Sequence, residues 1–218
     1  MLSVIPLVLI YTLFGVWINW GNTFELRNGA DVLIRRFFYF MGSWGEVGYI
    51  LSLNMMIFGV VIYYRKLFAK SLSPSVLTGI VIEGAIWSFL LLSGLHFAGE
   101  FLLSFPNGFS MVEQFYLSVG AGVYEEFLFR FCLLSVCKLT LFKVLGFTPV
   151  LSLILALILS SIAFSGIHYM GELGDSFTMN SFLFRTFAGV LLGSIFVSRG
   201  FGIAAYSHFF YDILVTGL

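Results

Sequence analysis

Tyr124-Glu125-Glu126-Phe127-Leu128-Phe129-Arg130 puts three ionisable side chains in the middle of an apolar run over residues 112–136. A run of about 20 apolar residues is what a helix needs to cross a bilayer, because its backbone N–H and C=O groups find no water there and must bond to one another. An ionisable group at that depth costs on the order of 3 kcal/mol, so its default reading is a functional site with partners. Successive residues of an α-helix turn by about 100°, which predicts that Glu125 and Glu126 point different ways and have different roles. Glu126 and Arg130 are i and i+4 in acid-before-base order, so the spacing predicts an ion pair that neutralises both. Glu125 is left without that local partner, as a carboxylate able to act as a general base. The competing reading is an ion-pair cluster that only locks helices together.

Outward from this run, apolar stretches tile the chain at residues 2–20, 47–64, 76–97, 150–169, 182–197 and 202–218, giving about seven spans in all. Of the 218 residues 60% are hydrophobic and 10% charged, which excludes an ordinary water-soluble domain. Eleven basic residues balance eleven acidic ones, so nucleic-acid binding has no electrostatic footing and the expected partners are the lipid bilayer and a membrane-associated substrate. The expected fold is an all-α, polytopic transmembrane bundle forming one integral membrane domain over residues 1–218, with the motif-bearing core at 112–218. Between the first two spans Leu33, Ile34, Phe37, Phe38 and Met41 share one helical face and Asp31, Arg35 and Arg36 the other, which predicts an eighth helix lying in the membrane interface.

The first span has no basic n-region and no small-residue cleavage site, so it is expected to stay attached. Arg65, Lys66 and Lys70, then Lys138 and Lys143, then Arg199 fall on one side if the spans alternate, and the positive-inside rule makes that side cytoplasmic. Arg27, Arg35 and Arg36 in the first loop oppose this assignment. Cys132 and Cys137, five apart, lie on different helix faces and read as packing residues rather than a metal or redox pair. Glu83 and His96, with Glu100 one turn later, read as interhelical glue. Arg185 is expected to snorkel to the interface. Gly189 and Gly193 are spaced for close helix approach.

Two of the three histidines lie in late spans almost free of other polar residues. Phe164-Ser165-Gly166-Ile167-His168 closes the fifth span, and His208-Phe209-Phe210-Tyr211-Asp212 lies within the last. His208 and Asp212 are again i and i+4, so the carboxylate is placed to orient the imidazole or to bind the same partner beside it. An interhelical hydrogen bond is the alternative for each histidine taken alone.

Glu-Glu-x-x-x-Arg, then Phe-x-x-x-His, then His-x-x-x-Asn or Asp, each in its own late helix, resembles the CPBP family of intramembrane peptidases. That family joins CAAX prenyl endopeptidases to bacteriocin-processing and self-immunity proteins. The resemblance covers roughly residues 112–218. It implies an endopeptidase that hydrolyses a peptide bond in a CAAX-type prenylprotein or a hydrophobic leader peptide, within a multi-pass protein of a prokaryotic plasma membrane. By motif position it implies that Glu125 and His168 activate water, that Glu126 pairs with Arg130, that Phe164 supports the site, and that His208 and residue 212 stabilise the oxyanion. Many members carry Asn at that last position, and an ionised Asp212 can only accept hydrogen bonds. Asp212 is therefore either protonated or, as we prefer, orients His208. The resemblance also implies access from the cytosol, whereas the basic-residue bias tilts the site outward.

Glu125, His168 and His208 also make the two-histidine, one-carboxylate set of a catalytic zinc site. The His-Glu-x-x-His spacing is missing, and a Glu and His pair polarises water without an ion, so the expectation is either no cofactor or a divalent metal such as zinc, with metal-independent chemistry preferred. Two other functions compete. A proton-coupled transporter uses similar chains of buried Glu and His but calls for an internal symmetry not seen here. A non-catalytic immunity or scaffold protein would keep the motif residues for packing.

Overall fold

The computed structural model describes residues 2–21, 25–40, 42–45, 47–49, 73–98, 109–171 and 174–217. Most of the expected second span, together with Met41, Arg65, Lys66, Lys70 and Glu100, lies outside them. The described residues are helical, with no strand among them.

A short 3-10 turn, Leu2–Val4, leads into α1 (Ile5–Ile18), whose first turn carries Pro6, where a missing backbone donor costs nothing. α2 (Gly29–Tyr39) is capped by Asn28, whose side chain accepts from the Ala30 N–H. α3 (Pro74–Ala98) is the longest of the α-helices. α4 (Met111–Gly120) opens on a capping box of Ser110 and Glu113 and runs without a break through a π-helical segment (Ala121–Leu134) into α5 (Ser135–Lys143). α6 (Pro149–Ile167) starts on the cap of Thr148, and α7 (Met179–Arg199) on that of Thr178. Gly200, at φ +90°, then reverses the chain in one residue into α8 (Phe201–Thr216), a conformation that a side chain would strain.

α8 is the centre of the bundle: its residues 201–209 are all buried. The π segment, α3, α4 and α7 pack around it. On one side Leu7, Tyr11, Tyr116, Val123 and Phe209 join α1, α4, the π segment and α8; on another Leu91, Leu95, Leu192 and Ile203 join α3, α7 and α8. α6 lies against α7, where a Cβ on Gly189 would come within 2.9 Å of the Ser161 Cβ, so the expected close approach is made.

Outward-facing side chains are apolar. Leu13 and Trp17 of α1 and Phe89 of α3 are well exposed, as a lipid-facing surface requires. Pro74–His96, Pro149–Ile167 and Met179–Arg199 are each long and apolar enough to cross a membrane, and Leu2–Ile18 is a shorter apolar helix. The protein is a helical membrane protein, and the spans expected at 76–97, 150–169 and 182–197 coincide with these three.

Two expectations are corrected here. Leu33 and Phe37 of the expected apolar face do point outward, but Asp31, assigned to the opposite, polar face, is completely buried. It accepts hydrogen bonds from Tyr11, Tyr49 and Arg35 and pairs with Arg27. Helical periodicity reads one helix at a time and missed these partners on neighbouring segments. Arg185, expected to snorkel, is also buried: it pairs with Asp175 and donates to Ser181 Oγ at 2.9 Å. Glu83 does act as interhelical glue, receiving Arg199 Nη2 at 2.8 Å from the end of α7.

Candidate active site

Three elements bring the motif residues together. The π segment supplies Glu125, Glu126 and Arg130; the end of α6 supplies Phe164 and, as its C-cap, His168; the middle of α8 supplies His208 and Asp212.

The winding of the first element decides the arrangement. On an α-helix residues 125 and 130 would lie about 140° apart, since five steps of about 100° overshoot one turn. Bonding from i to i+5 packs more residues into each turn, so the same two residues come closer to one face. Glu125, Glu126 and Arg130 are accordingly all buried, with Glu126 and Arg130 at 0% exposure. The two adjacent carboxylates keep different partners, Arg130 for Glu126 and Asn28 for Glu125, yet both reach His208, Glu126 at Nδ1 and Glu125 on the side of Nε2.

Glu126 Oε1 lies 3.2 Å from Arg130 Nη1, the expected ion pair, and 2.8 Å from His208 Nδ1. A carboxylate oxygen only accepts, so His208 donates from Nδ1 and presents Nε2 to the other side. There Asp212 Oδ1 lies at 3.7 Å and Glu125 Oε2 at 4.0 Å. Glu126, not Asp212, is thus the residue hydrogen-bonded to His208; the i and i+4 spacing on α8 brings Asp212 near but beyond hydrogen-bond range.

His168 Nδ1 lies 2.9 Å from the carbonyl oxygen of Phe164. A carbonyl cannot donate, so that nitrogen carries the proton and the lone pair sits on Nε2, 3.9 Å from Glu125 Oε2. Glu125 Oε2 is buried, has no hydrogen-bond partner among the described residues, and faces both imidazoles. The Phe164 ring fills the space between the groups: the Arg130 guanidinium lies over it at 4.2 Å, and the rings of His168 and His208 meet it edgewise with centroids at 5.0 and 5.8 Å. A cleft opens beside the imidazoles. Leu91, Leu95, Ala188 and Leu192 form its apolar wall, and His168, His208, Asp212 and Arg185 its polar end.

Sequence reasoning missed Asn28. Its Nδ2 donates to Glu125 Oε1 at 2.8 Å across 97 positions of chain. The available signal was an Asn before a Gly-Ala-Asp helix start, which marks a cap but not a tertiary partner. In the same loop Arg27 hydrogen-bonds Glu25 and holds its carboxyl below the ordinary carboxylate value.

Among the described residues no group of three or more His, Cys, Asp and Glu side chains is gathered to hold a metal ion. The separations of 3.9 and 4.0 Å exceed the roughly 3.3 Å between donors that tetrahedral zinc sets with bonds of about 2.0 Å. In this arrangement the residues do not fit a zinc ion, and the metalloprotease-like expectation finds no support.

The family described as type II CAAX prenyl endopeptidase Rce1-like matches residues 106–214, a stretch holding all three motifs. The chain belongs to this family of CAAX-type membrane proteases. No curated protein and no solved structure matches it.

Proposed function

We propose that the chain is an intramembrane endopeptidase in which Glu125 and His168 activate a water molecule against a peptide bond of a CAAX-type prenylated substrate. The observation that carries this is the convergence on Glu125 Oε2 of two imidazoles from two other helices, at 3.9 and 4.0 Å. Two acceptors at that separation suit one shared water, each about 2.8 Å from its oxygen. The water gives one hydrogen bond to Glu125 Oε2 and one to the lone pair on His168 Nε2, which leaves an oxygen lone pair for the scissile carbonyl carbon.

As the C–O bond forms, a proton passes to Glu125 and negative charge moves to the carbonyl oxygen. Protonated His208 donates Nδ1–H to Glu126 and offers Nε2–H to that oxyanion, while Asp212 and Glu126 steady the imidazolium. Collapse of the tetrahedral intermediate breaks the C–N bond, and the proton held by Glu125 goes to the leaving amine. Arg130 pairs with Glu126 at 3.2 Å, and Phe164 lies between the guanidinium and the imidazoles.

The test is cleavage of a prenylated peptide ending in Cys-aliphatic-aliphatic-Ser by purified protein in detergent, wild type beside Glu125→Ala and His168→Ala. Both variants are expected to lose cleavage while keeping the wild-type melting temperature. Wild-type rates in both would remove the catalytic assignment.

A further inference from the structure

We infer that Asn28, which lies outside the region matched by the family, is a positioning residue that fixes the working orientation of Glu125. This rests on Glu125 serving as the base.

The side chain of Asn28 is committed at both ends. Its Oδ1 accepts the Ala30 N–H at 2.9 Å as the cap of α2, which leaves only the amide donor Nδ2 to turn inward. That donor meets Glu125 Oε1 at 2.8 Å. With Oε1 occupied, Oε2 is the oxygen that faces His168 and His208.

The backbone of Asn28 is held as well. Its N–H donates to the Tyr11 hydroxyl at 3.1 Å, and that hydroxyl donates to Asp31 Oδ2 at 3.1 Å. Asp31, at 0% exposure, is pinned in turn by Tyr49 and Arg35. Asn28 is itself 6% exposed, so water does not compete for its amide. The buried cluster around Asp31 thus holds the loop that carries Asn28, and the amide of Asn28 itself sets the carboxylate.

Capping and positioning separate by substitution. Asn28→Ser and Asn28→Asp both retain a side-chain oxygen for the cap, whereas Asn28→Ala does not. Ser is too short to reach Glu125, and Asp has no hydrogen to donate to it. The groups that otherwise face Glu125 are unchanged in each variant: Glu126 and Arg130 on its own segment, His168 from α6, His208 and Asp212 from α8.

The experiment measures kcat and KM on the same prenylated peptide, and melting temperature, for the full chain in detergent. In Asn28→Ser kcat is expected to fall roughly 10- to 100-fold, the worth of one hydrogen bond to a charged group, with KM within about twofold and a melting temperature above that of Asn28→Ala, which loses the cap as well. Asn28→Asp, which sets a second carboxylate against Glu125, is expected to lose kcat and to melt lower than Asn28→Ser. Wild-type kcat in Asn28→Ser overturns the inference. So does a loss in Asn28→Ser that comes with the same drop in melting temperature as Asn28→Ala, which would assign Asn28 to capping alone. Glu125→Ala run in parallel tells the two readings apart. If it is inactive while Asn28→Ser is fully active, only the positioning role fails; if it cleaves like wild type, the base assignment fails.

Discussion

Two buried carboxylate clusters lie within a few residues' reach of each other, and they are finished differently. Asp31 has both oxygens taken, by two tyrosine hydroxyls and Arg35, with Arg27 beside them. Glu125 has one oxygen taken, by Asn28, and the other turned to two imidazoles at distances too long for a direct bond. Burial of a charge is common to both, so burial does not mark the reactive group. Saturation does: a carboxylate whose lone pairs are all engaged holds structure, and one with an oxygen left over can handle a proton.

The sharpest way to break this contrast is to neutralise each carboxylate in place. Glu125→Gln is expected to lower kcat by roughly 10²- to 10⁴-fold, the usual contribution of a positioned general base, with little change in melting temperature. Asp31→Asn is expected to do the reverse, costing about 1.5–3 kcal/mol of stability while the folded fraction still cleaves. If Asp31→Asn removes turnover without lowering stability, the division between the clusters is wrong.

Arg130→Met sharpens the contrast from within the site. It leaves Glu126 buried beside His208 without its cation, a change expected to cost about 3–5 kcal/mol and read as a lower melting temperature in detergent. Phe164→Leu removes the ring between Arg130 and the imidazoles and is expected to cost about 2 kcal/mol, with a further fall in kcat as His168 and His208 lose their edge contacts. The smallest effect is expected at Thr148→Ala, which removes the α6 cap far from both clusters: about 1 kcal/mol in melting and no change in kcat.

Much of the molecule was legible in the sequence because it is local. Apolar runs gave the spans at 76–97, 150–169 and 182–197, and the i and i+4 rule gave the Glu126–Arg130 pair, because hydrophobic length and helical stacking are written residue by residue. What escaped is of two kinds. Contacts across long stretches of chain, such as Asn28 to Glu125 and Glu126 to His208, depend on how segments pack and leave no periodic trace. The π winding of Ala121–Leu134 leaves no mark in the apolar run, so the relation between Glu125 and Arg130, five residues apart, was not read from α-helical geometry. The misplacement of Asp31 and Arg185 has the first cause, since each is buried by partners outside its own helix turn or by loops that fold over it.

The wide winding also bears on depth. Because more residues share each turn, Glu125, Glu126 and Arg130 climb less along the helix axis than the same three would on an α-helix, where five steps rise about 7.5 Å. Both carboxylates meet the imidazole of His208, at its two ring nitrogens. The polar groups of this segment therefore share one short length of the bundle, and one opening to water would serve them together.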